Sequence, residues 1–123
     1  MKRIITTAML ALGLFATVSL SAQNAKTIKL EQTPGEFAKE SLTLKAGKAY
    51  VFEVENNGVD HPVGFVIAPK GKTDQANHVQ TAYLSNTIKD GERASSKTVV
   101  LEAGEYVYFC PLNPTPQYKI TVK

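Results

Sequence analysis

The stretch VYFCPLNPTPQYKITV, residues 107–122, contains the only cysteine of the chain and indicates its fold. An alternating run of aliphatic and aromatic residues leads to Cys110, and a proline-rich turn follows it. A second alternating run then places Tyr118, Ile120 and Val122 on one face, as in a half-buried strand. The stretch therefore predicts two neighbouring strands joined by a loop that presents Cys110.

Further segments with strand patterns lie upstream of this stretch. They are residues 27–33, 40–47, 48–58, 62–69 and 97–101. In the segment KAYVFEVENNG, Tyr50, Phe52 and Val54 alternate with Glu53 and Glu55, as expected of a strand with one buried face. About seven strands at this spacing predict an all-β, antiparallel Greek-key β-sandwich.

Residues 70–96 show a weaker pattern than the rest of the chain. The segment from Gln75 to Tyr83 predicts a short helix, and the Asp90-Gly91 pair predicts a turn. No strong amphipathic helix is expected anywhere else, which favours an all-β class.

The N-terminus has the pattern of a secretory signal. Lys2 and Arg3 precede an apolar stretch, and the small-residue motif SLSA ends at Ala22. Threonine, serine and glycine interrupt that stretch, whereas a membrane anchor needs about 20 apolar residues. We expect residues 1–22 to be cleaved and residues 23–123 to form one exported domain, periplasmic or secreted, with no membrane span.

Charge and composition exclude one class of partner. Without Lys2 and Arg3, 12 basic residues face 11 acidic ones, and they are scattered along the chain. A nucleic-acid-binding surface needs a basic patch or stripe. We therefore expect no nucleic-acid partner.

Few strong metal ligands remain after the predicted cleavage. Both methionines belong to the predicted signal, which leaves Cys110, His61 and His78. Copper in an electron-transfer site takes one thiolate, two imidazoles and a weak axial ligand such as Met or Gln. His61 begins an apolar strand and Cys110 ends another, so a sandwich that aligns the two strands would bring both residues to one end.

Two segments resemble the cupredoxins, the small blue copper proteins. VENNGVDHPVGFVI, residues 54–67, is similar to the segment that carries their first histidine ligand. LEAGEYVYFCPLNPTPQYKITVK, residues 101–123, is similar to their last two strands and ligand loop. The loop has a length similar to the short form found in amicyanin, with the pattern Cys-x2-His-x2-Met. The resemblance extends loosely over residues 40–123 and implies a cupredoxin-like sandwich.

The resemblance implies an incomplete set of copper ligands. It places His61 at the first histidine and Cys110 at the thiolate. Asn113 stands at the second histidine and Pro116 at the axial methionine, so neither supplies the expected donor. Gln117, one residue further, is a possible axial substitute. A standard blue copper site is therefore not expected.

Three interpretations remain open. In the first, Cys110 and His61 hold copper at an altered site, for copper handling or atypical electron transfer with a redox or copper-handling protein partner. The weaker candidates for a further ligand are His78, Asn113, Gln117 and Asp60.

In the second interpretation, the sandwich is a metal-free binding module and Cys110 is a small buried residue. Its predicted partner surface consists of Val63, Pro111, Leu112, Pro114 and Pro116. The third interpretation is a Cys–His nucleophile, but no oxyanion site or substrate pocket is apparent, so we do not expect an enzyme. The sequence leaves open the oligomeric state and whether a second copy supplies a ligand.

Overall fold

Two β-sheets pack face to face in the computed structural model, which describes residues 24–123. The predicted signal peptide, residues 1–22, lies outside the described residues. The strands are β1 (Lys26–Thr33), β2 (Glu36–Phe37), β3 (Ser41–Leu44), β4 (Ala49–Asn56), β5 (Val66–Pro69), β6 (Arg93–Ser95), β7 (Val99–Val100), β8 (Gly104–Phe109) and β9 (Tyr118–Val122). The first sheet has the order β2-β1-β4-β6, with β7 also paired to β4, and the second has the order β3-β9-β8-β5.

The predicted all-β sandwich is confirmed, but its sheets are mixed rather than purely antiparallel. Strand β1 runs parallel to β4, from Lys26 opposite Tyr50 to Gln32 opposite Asn56. Strand β3 likewise runs parallel to β9. Between β1 and β4 the chain crosses to the second sheet, forms β3 and returns, and such a crossover connection allows β1 and β4 to run in the same direction. A period-two pattern carries information about burial but not about strand direction.

Strand β4 shows how the sequence pattern becomes the core. Its residues alternate between buried and half-buried, with Tyr50, Phe52 and Val54 buried as predicted. Their side chains belong to one hydrophobic cluster that includes residues of both sheets. The same alternation also buries a polar residue, Asn56, at the end of the strand.

The short helix predicted from Gln75 to Tyr83 is replaced by two 3₁₀ turns, Gln75–Asn77 and Gln80–Ala82. The first turn buries no residue and the second buries only Ala82, so a longer helix would have no apolar face to pack. The backbone is instead tied to the sheet, where Val79 N donates to Ile67 O at 2.8 Å. Residues 24–123 contain no helix that is both long and apolar enough to cross a membrane.

An aromatic cluster joins the two sheets around Tyr108. This side chain is fully buried, and its hydroxyl donates to Lys39 O at 2.6 Å. Its ring stacks on Tyr118 and meets the edge of Phe37, with centroids 5.3 and 5.2 Å apart. Burial raises the pKa of Tyr108 to about 12, with smaller contributions from Tyr118 and Glu40.

The raised pKa of Tyr108 predicts a loss of stability in strong base. Because the folded-state pKa exceeds the unfolded value of 10.0, the contribution is complete below pH 10 and is lost as pH rises toward about 12. The loss is on the order of 2 to 3 kcal/mol. Urea unfolding at a series of alkaline pH values measures it.

Tyr108→Phe should reduce this alkaline loss. The substitution also removes the hydrogen bond to Lys39 O, which should lower the free energy of unfolding by about 1 kcal/mol at neutral pH. Tyr106→Phe is the matched control, because the Tyr106 hydroxyl donates to Glu102 O on the surface. An unchanged alkaline loss in Tyr108→Phe would contradict the assignment.

Candidate metal centre

Three loops meet at one end of the sandwich, around Cys110. They are the β1–β2 turn, the β4–β5 loop and the β8–β9 loop. Gly64 of the β4–β5 loop contacts the Cys110 sulfur, and Asn113 of the β8–β9 loop contacts both ends of the β1–β2 turn. The predicted presentation of Cys110 from a loop between two strands is therefore observed.

The Cys110 sulfur is surrounded by backbone N–H groups. The side chain is only 4% exposed. Its Sγ accepts hydrogen bonds from the backbone nitrogens of Gly64 and Leu112, both at 3.4 Å, and of Asn113 at 3.1 Å. Converging backbone N–H dipoles form a nest that stabilises negative charge on the group they surround. The sulfur is therefore placed as an acceptor, which is also the role of a metal ligand.

Asn113 is held by a buried amide partner. Its Nδ2 donates to Gln32 Oε1 at 3.2 Å and to Thr33 O at 3.1 Å, and its Oδ1 accepts from Gly35 N at 3.0 Å. Gln32 is fully buried, and its Nε2 donates to Gly64 O at 2.7 Å. We call the paired side chains of Gln32 and Asn113 the amide bridge. It connects all three loops, and every polar atom of the Asn113 amide has a partner within the protein.

His61 lies on the surface at the same end of the sandwich. Its side chain is exposed, and Nδ1 lies 3.0 Å from Pro62 O. Since a carbonyl can only accept, Nδ1 carries the proton in the neutral ring and Nε2 carries a lone pair. Within residues 24–123, Nε2 has no hydrogen-bond partner. The His61 imidazole can therefore act as a ligand through Nε2 without losing an existing contact.

Asn56 fixes the backbone beside His61. This residue is fully buried, and its Nδ2 lies within 3.2 Å of the carbonyl oxygens of Val59, His61 and Ile88. Its Oδ1 accepts from Val59 N at 2.9 Å. The loop that carries His61 is thus anchored by a buried side chain and not by the histidine itself.

His78 is committed to other contacts. Its Nε2 lies 2.9 Å from Thr73 O and therefore carries the proton, so Nδ1 accepts from the Tyr83 hydroxyl at 2.8 Å. Its ring also meets the edge of Phe109, with centroids 6.0 Å apart. These contacts leave His78 no free lone pair to offer a metal.

The remaining predicted residues are scattered around this end. Gln117, Asp60 and Pro116 are exposed. In the described part of the chain, no three side chains of the types His, Cys, Asp or Glu lie close enough together to hold a metal ion. Of the predicted site residues, Asn113 contacts Cys110 through its backbone nitrogen, whereas His78 is bonded to Tyr83 and Thr73.

The predicted partner surface is wrong in one member. Pro111, Leu112, Pro114 and Pro116 are exposed, but Val63 is fully buried. Val63 exchanges two backbone hydrogen bonds with Ile88, at 2.9 and 3.0 Å, in an antiparallel bridge. This pairing turns the Val63 side chain into the core.

Sequence reasoning missed Gln32 and Asn56, although a signal for both exists. In β1 the buried position Leu30 is followed two residues later by Gln32, and in β4 Val54 is followed by Asn56. A polar residue that continues an inward-facing series must find buried hydrogen bonds. Both residues do so at the end of the sandwich that holds Cys110.

Comparison with known proteins identifies the architecture. A family model described as cupredoxin-like domain matches residues 5–122. Auracyanin A, a "blue" copper protein from Chloroflexus aurantiacus, superposes with a TM-score of 0.65 and 19% identity over 79% of this chain and 98% of its own. Auracyanin from Roseiflexus castenholzii superposes with a TM-score of 0.63 and 16% identity, over 80% of this chain and 98% of its own. Amicyanin from Paracoccus versutus superposes with a TM-score of 0.52 and 18% identity, over 80% of this chain and 83% of its own. No curated protein sequence matches the chain.

We predict that removing the amide bridge lowers the free energy of unfolding, although the bridge lies at one end of the sandwich. Gln32→Leu would leave Asn113 Nδ2 and Gly64 O each without one buried partner. Each such loss costs about 1 to 3 kcal/mol, so the free energy of unfolding should fall by roughly 2 to 5 kcal/mol. Urea denaturation measures the change.

Asn57→Ala provides the control, because the Asn57 side chain donates to Glu31 Oε2 on the surface. Exposed substitutions of this kind change stability by about 0.5 kcal/mol or less. Equal effects of the two substitutions would mean that the amide bridge does not hold the loops.

Proposed function

The chain belongs to the cupredoxin-like domain family, a fold that indicates copper-related electron transfer, and we propose on this premise that it handles copper at an altered site. In this proposal Cys110 and His61 are the ligands and the ion is Cu(I). The observation that carries the proposal is the nest of three backbone N–H groups around the Cys110 sulfur.

The residues present do not fit a standard blue copper site. At the position of the second imidazole, the Asn113 amide uses all of its polar atoms within the protein. At the position of the axial methionine, Pro116 has no side-chain donor. We therefore propose no step that passes through a blue copper centre.

The chemistry of Cys110 and His61 fits Cu(I) better. Cu(I) prefers soft ligands such as thiolate. The sulfur of Cys110 is already an acceptor, and His61 has a free Nε2. His61 precedes Gly64 by three residues, so its Cα lies within about 10 Å of the Gly64 Cα. The exposed imidazole would make the first contact with the ion, and the buried thiolate would retain it.

The proposed partner is a protein that delivers or receives copper or electrons at this end of the sandwich. The proposed location is outside the cytoplasm, in the periplasm or the medium, because residues 1–22 have the pattern of a signal peptide. In this proposal residues 23–123 are the mature domain, and it is not an enzyme. Of the weaker candidates for a third ligand, Gln117 is the one we retain, because the polar atoms of His78 and of the Asn113 amide are engaged in other contacts.

The amide bridge favours a second candidate function, a metal-free binding module. Gln32 and Asn113 hold the three loops together by hydrogen bonds alone, so the end of the sandwich can keep its shape without an ion. In that case the exposed apolar residues beside Cys110 would contact a partner directly.

Copper titration tests the first proposal. We expect one Cu(I) per chain, measured by competition with a chromophoric Cu(I) chelator. Cys110→Ala should abolish stoichiometric binding, and His61→Gln should weaken it by about 10- to 100-fold or more. Cu(II) should produce no intense blue absorption.

His78→Gln is the matched control and should leave the Cu(I) affinity unchanged, because both nitrogens of His78 are engaged elsewhere. Copper uptake that survives Cys110→Ala would contradict the proposal. Copper at background level in the wild type would favour the binding module instead.

A further inference from the structure

An apolar groove lies beside the Cys110 loop. It has a volume of about 530 Å³. We call this cavity the apolar groove. Its main walls are formed by Phe65, His78, Tyr83, Leu84, Pro111 and Leu112. Binding sites for small molecules have volumes of about 300 to 1,000 Å³, so the groove has the size of such a site.

The groove offers no charge to a ligand. None of its lining residues is Asp, Glu, Lys or Arg. Its two ionisable side chains, His78 and Tyr83, are hydrogen-bonded to each other, and the second nitrogen of His78 is bonded to Thr73 O. A charged ligand would lose its hydration here without gaining a counter-charge. The lining is therefore complementary to an uncharged molecule.

Exposed apolar surface is concentrated in this groove. Tyr83 is 36% exposed and Leu112 is 49% exposed, and both line the groove. The remaining large exposed hydrophobic residue of the described chain, Val100, is 58% exposed and lies elsewhere, on β7. Two apolar side chains that face one concavity gain from a common ligand, whereas a single exposed valine needs no explanation.

One wall of the groove is held rigid. The Tyr83 hydroxyl is bonded to His78, whose other nitrogen is bonded to Thr73 O. The His78 ring also contacts Phe109 of β8 edge-on. The aromatic wall is thereby connected to the sheet before any ligand arrives, which reduces the entropy cost of binding.

The groove shares residues with the surroundings of Cys110. Gly64 and Leu112 line the groove, and their backbone nitrogens both donate to the Cys110 sulfur. A ligand in the groove would therefore rest against two of the three residues whose N–H groups donate to the sulfur. It would also restrain Leu112, which is exposed in the loop that follows Cys110.

We propose that the apolar groove binds an uncharged small molecule with an aromatic ring system, and that its occupancy closes access to Cys110. The partly exposed Tyr83 ring, beside the His78 ring, favours a flat aromatic ligand, and the neutral lining excludes a charged one. This proposal does not depend on copper.

The test uses N-phenyl-1-naphthylamine, an uncharged aromatic probe whose fluorescence rises in apolar surroundings. The purified metal-free protein should bind it saturably, with one site per chain. Leu112→Asp should weaken binding by about tenfold or more, because the ligand would then bury a carboxylate. Val100→Asp adds the same charge at the other exposed hydrophobic residue and should leave the affinity unchanged.

Tyr83→Ala is a second variant, which removes the aromatic wall without adding charge and should also weaken binding. In the wild type, the rate of Cys110 alkylation by iodoacetamide should fall about tenfold when free probe is ten times its Kd, because only the unoccupied fraction reacts. Non-saturable fluorescence, or equal affinities in Leu112→Asp and Val100→Asp, would overturn the site. An unchanged alkylation rate would overturn the closure of Cys110.

Analytical ultracentrifugation distinguishes small-molecule binding in the groove from self-association of the chain through it. A concentration-dependent dimer that Leu112→Asp abolishes, without saturable probe binding, would assign the groove to a second copy of the chain and overturn the proposal. Failure of the Cu(I) titration leaves these measurements unaffected, since they are made on the metal-free protein.

Discussion

The buried hydrogen bonds of the amide bridge determine how the functional end of this sandwich is built. Gln32 and Asn113 are 0 and 4% exposed, so their amides must find partners inside the protein. They find them in each other and in the backbone of all three loops. A shift of any one loop would leave a buried donor or acceptor unpaired, at a cost comparable to the effect of a typical destabilising mutation. The position of Cys110 follows from this requirement, since Asn113 N is also the nearest donor to its sulfur.

The parts of the fold that follow from local burial could be predicted from the sequence, and those that follow from long-range pairing could not. Alternation in β4 and β9 identified the strands and their inward faces, because a strand buries every second residue. The parallel pairing of β1 with β4 depends on where the chain changes sheets, which no local pattern encodes. The segment around His78 was predicted as a helix, but its backbone bonds to β5 through Val79 and Ile67, a contact set by the tertiary structure.

The candidate site shows the same division. The loop that presents Cys110 is visible in the sequence because strands and prolines bound it. The role of Asn113 is not visible, because its partner Gln32 lies 81 residues away. An asparagine where related proteins would place an imidazole suggests a lost ligand when the sequence is read alone. In the structure, the Asn113 side chain ties the β8–β9 loop to the β1–β2 turn and to Gln32 by hydrogen bonds.

The hydrogen bonds at this end of the sandwich form two sets, one that joins the loops and one that is directed at the Cys110 sulfur. The amide bridge holds the loops together, and three backbone N–H donors are in addition directed at the sulfur. A cysteine that served only to fill space would need none of them, since free cysteine packs as a small hydrophobic residue. Gly64 also belongs to both the loop of His61 and the wall of the apolar groove. If a ligand in the proposed groove shifts Gly64, it changes the surroundings of the sulfur, and by linkage a ligand on the sulfur then changes the affinity of the groove by the same factor. Chemistry at Cys110 and recognition in the groove are therefore expected to be coupled rather than independent.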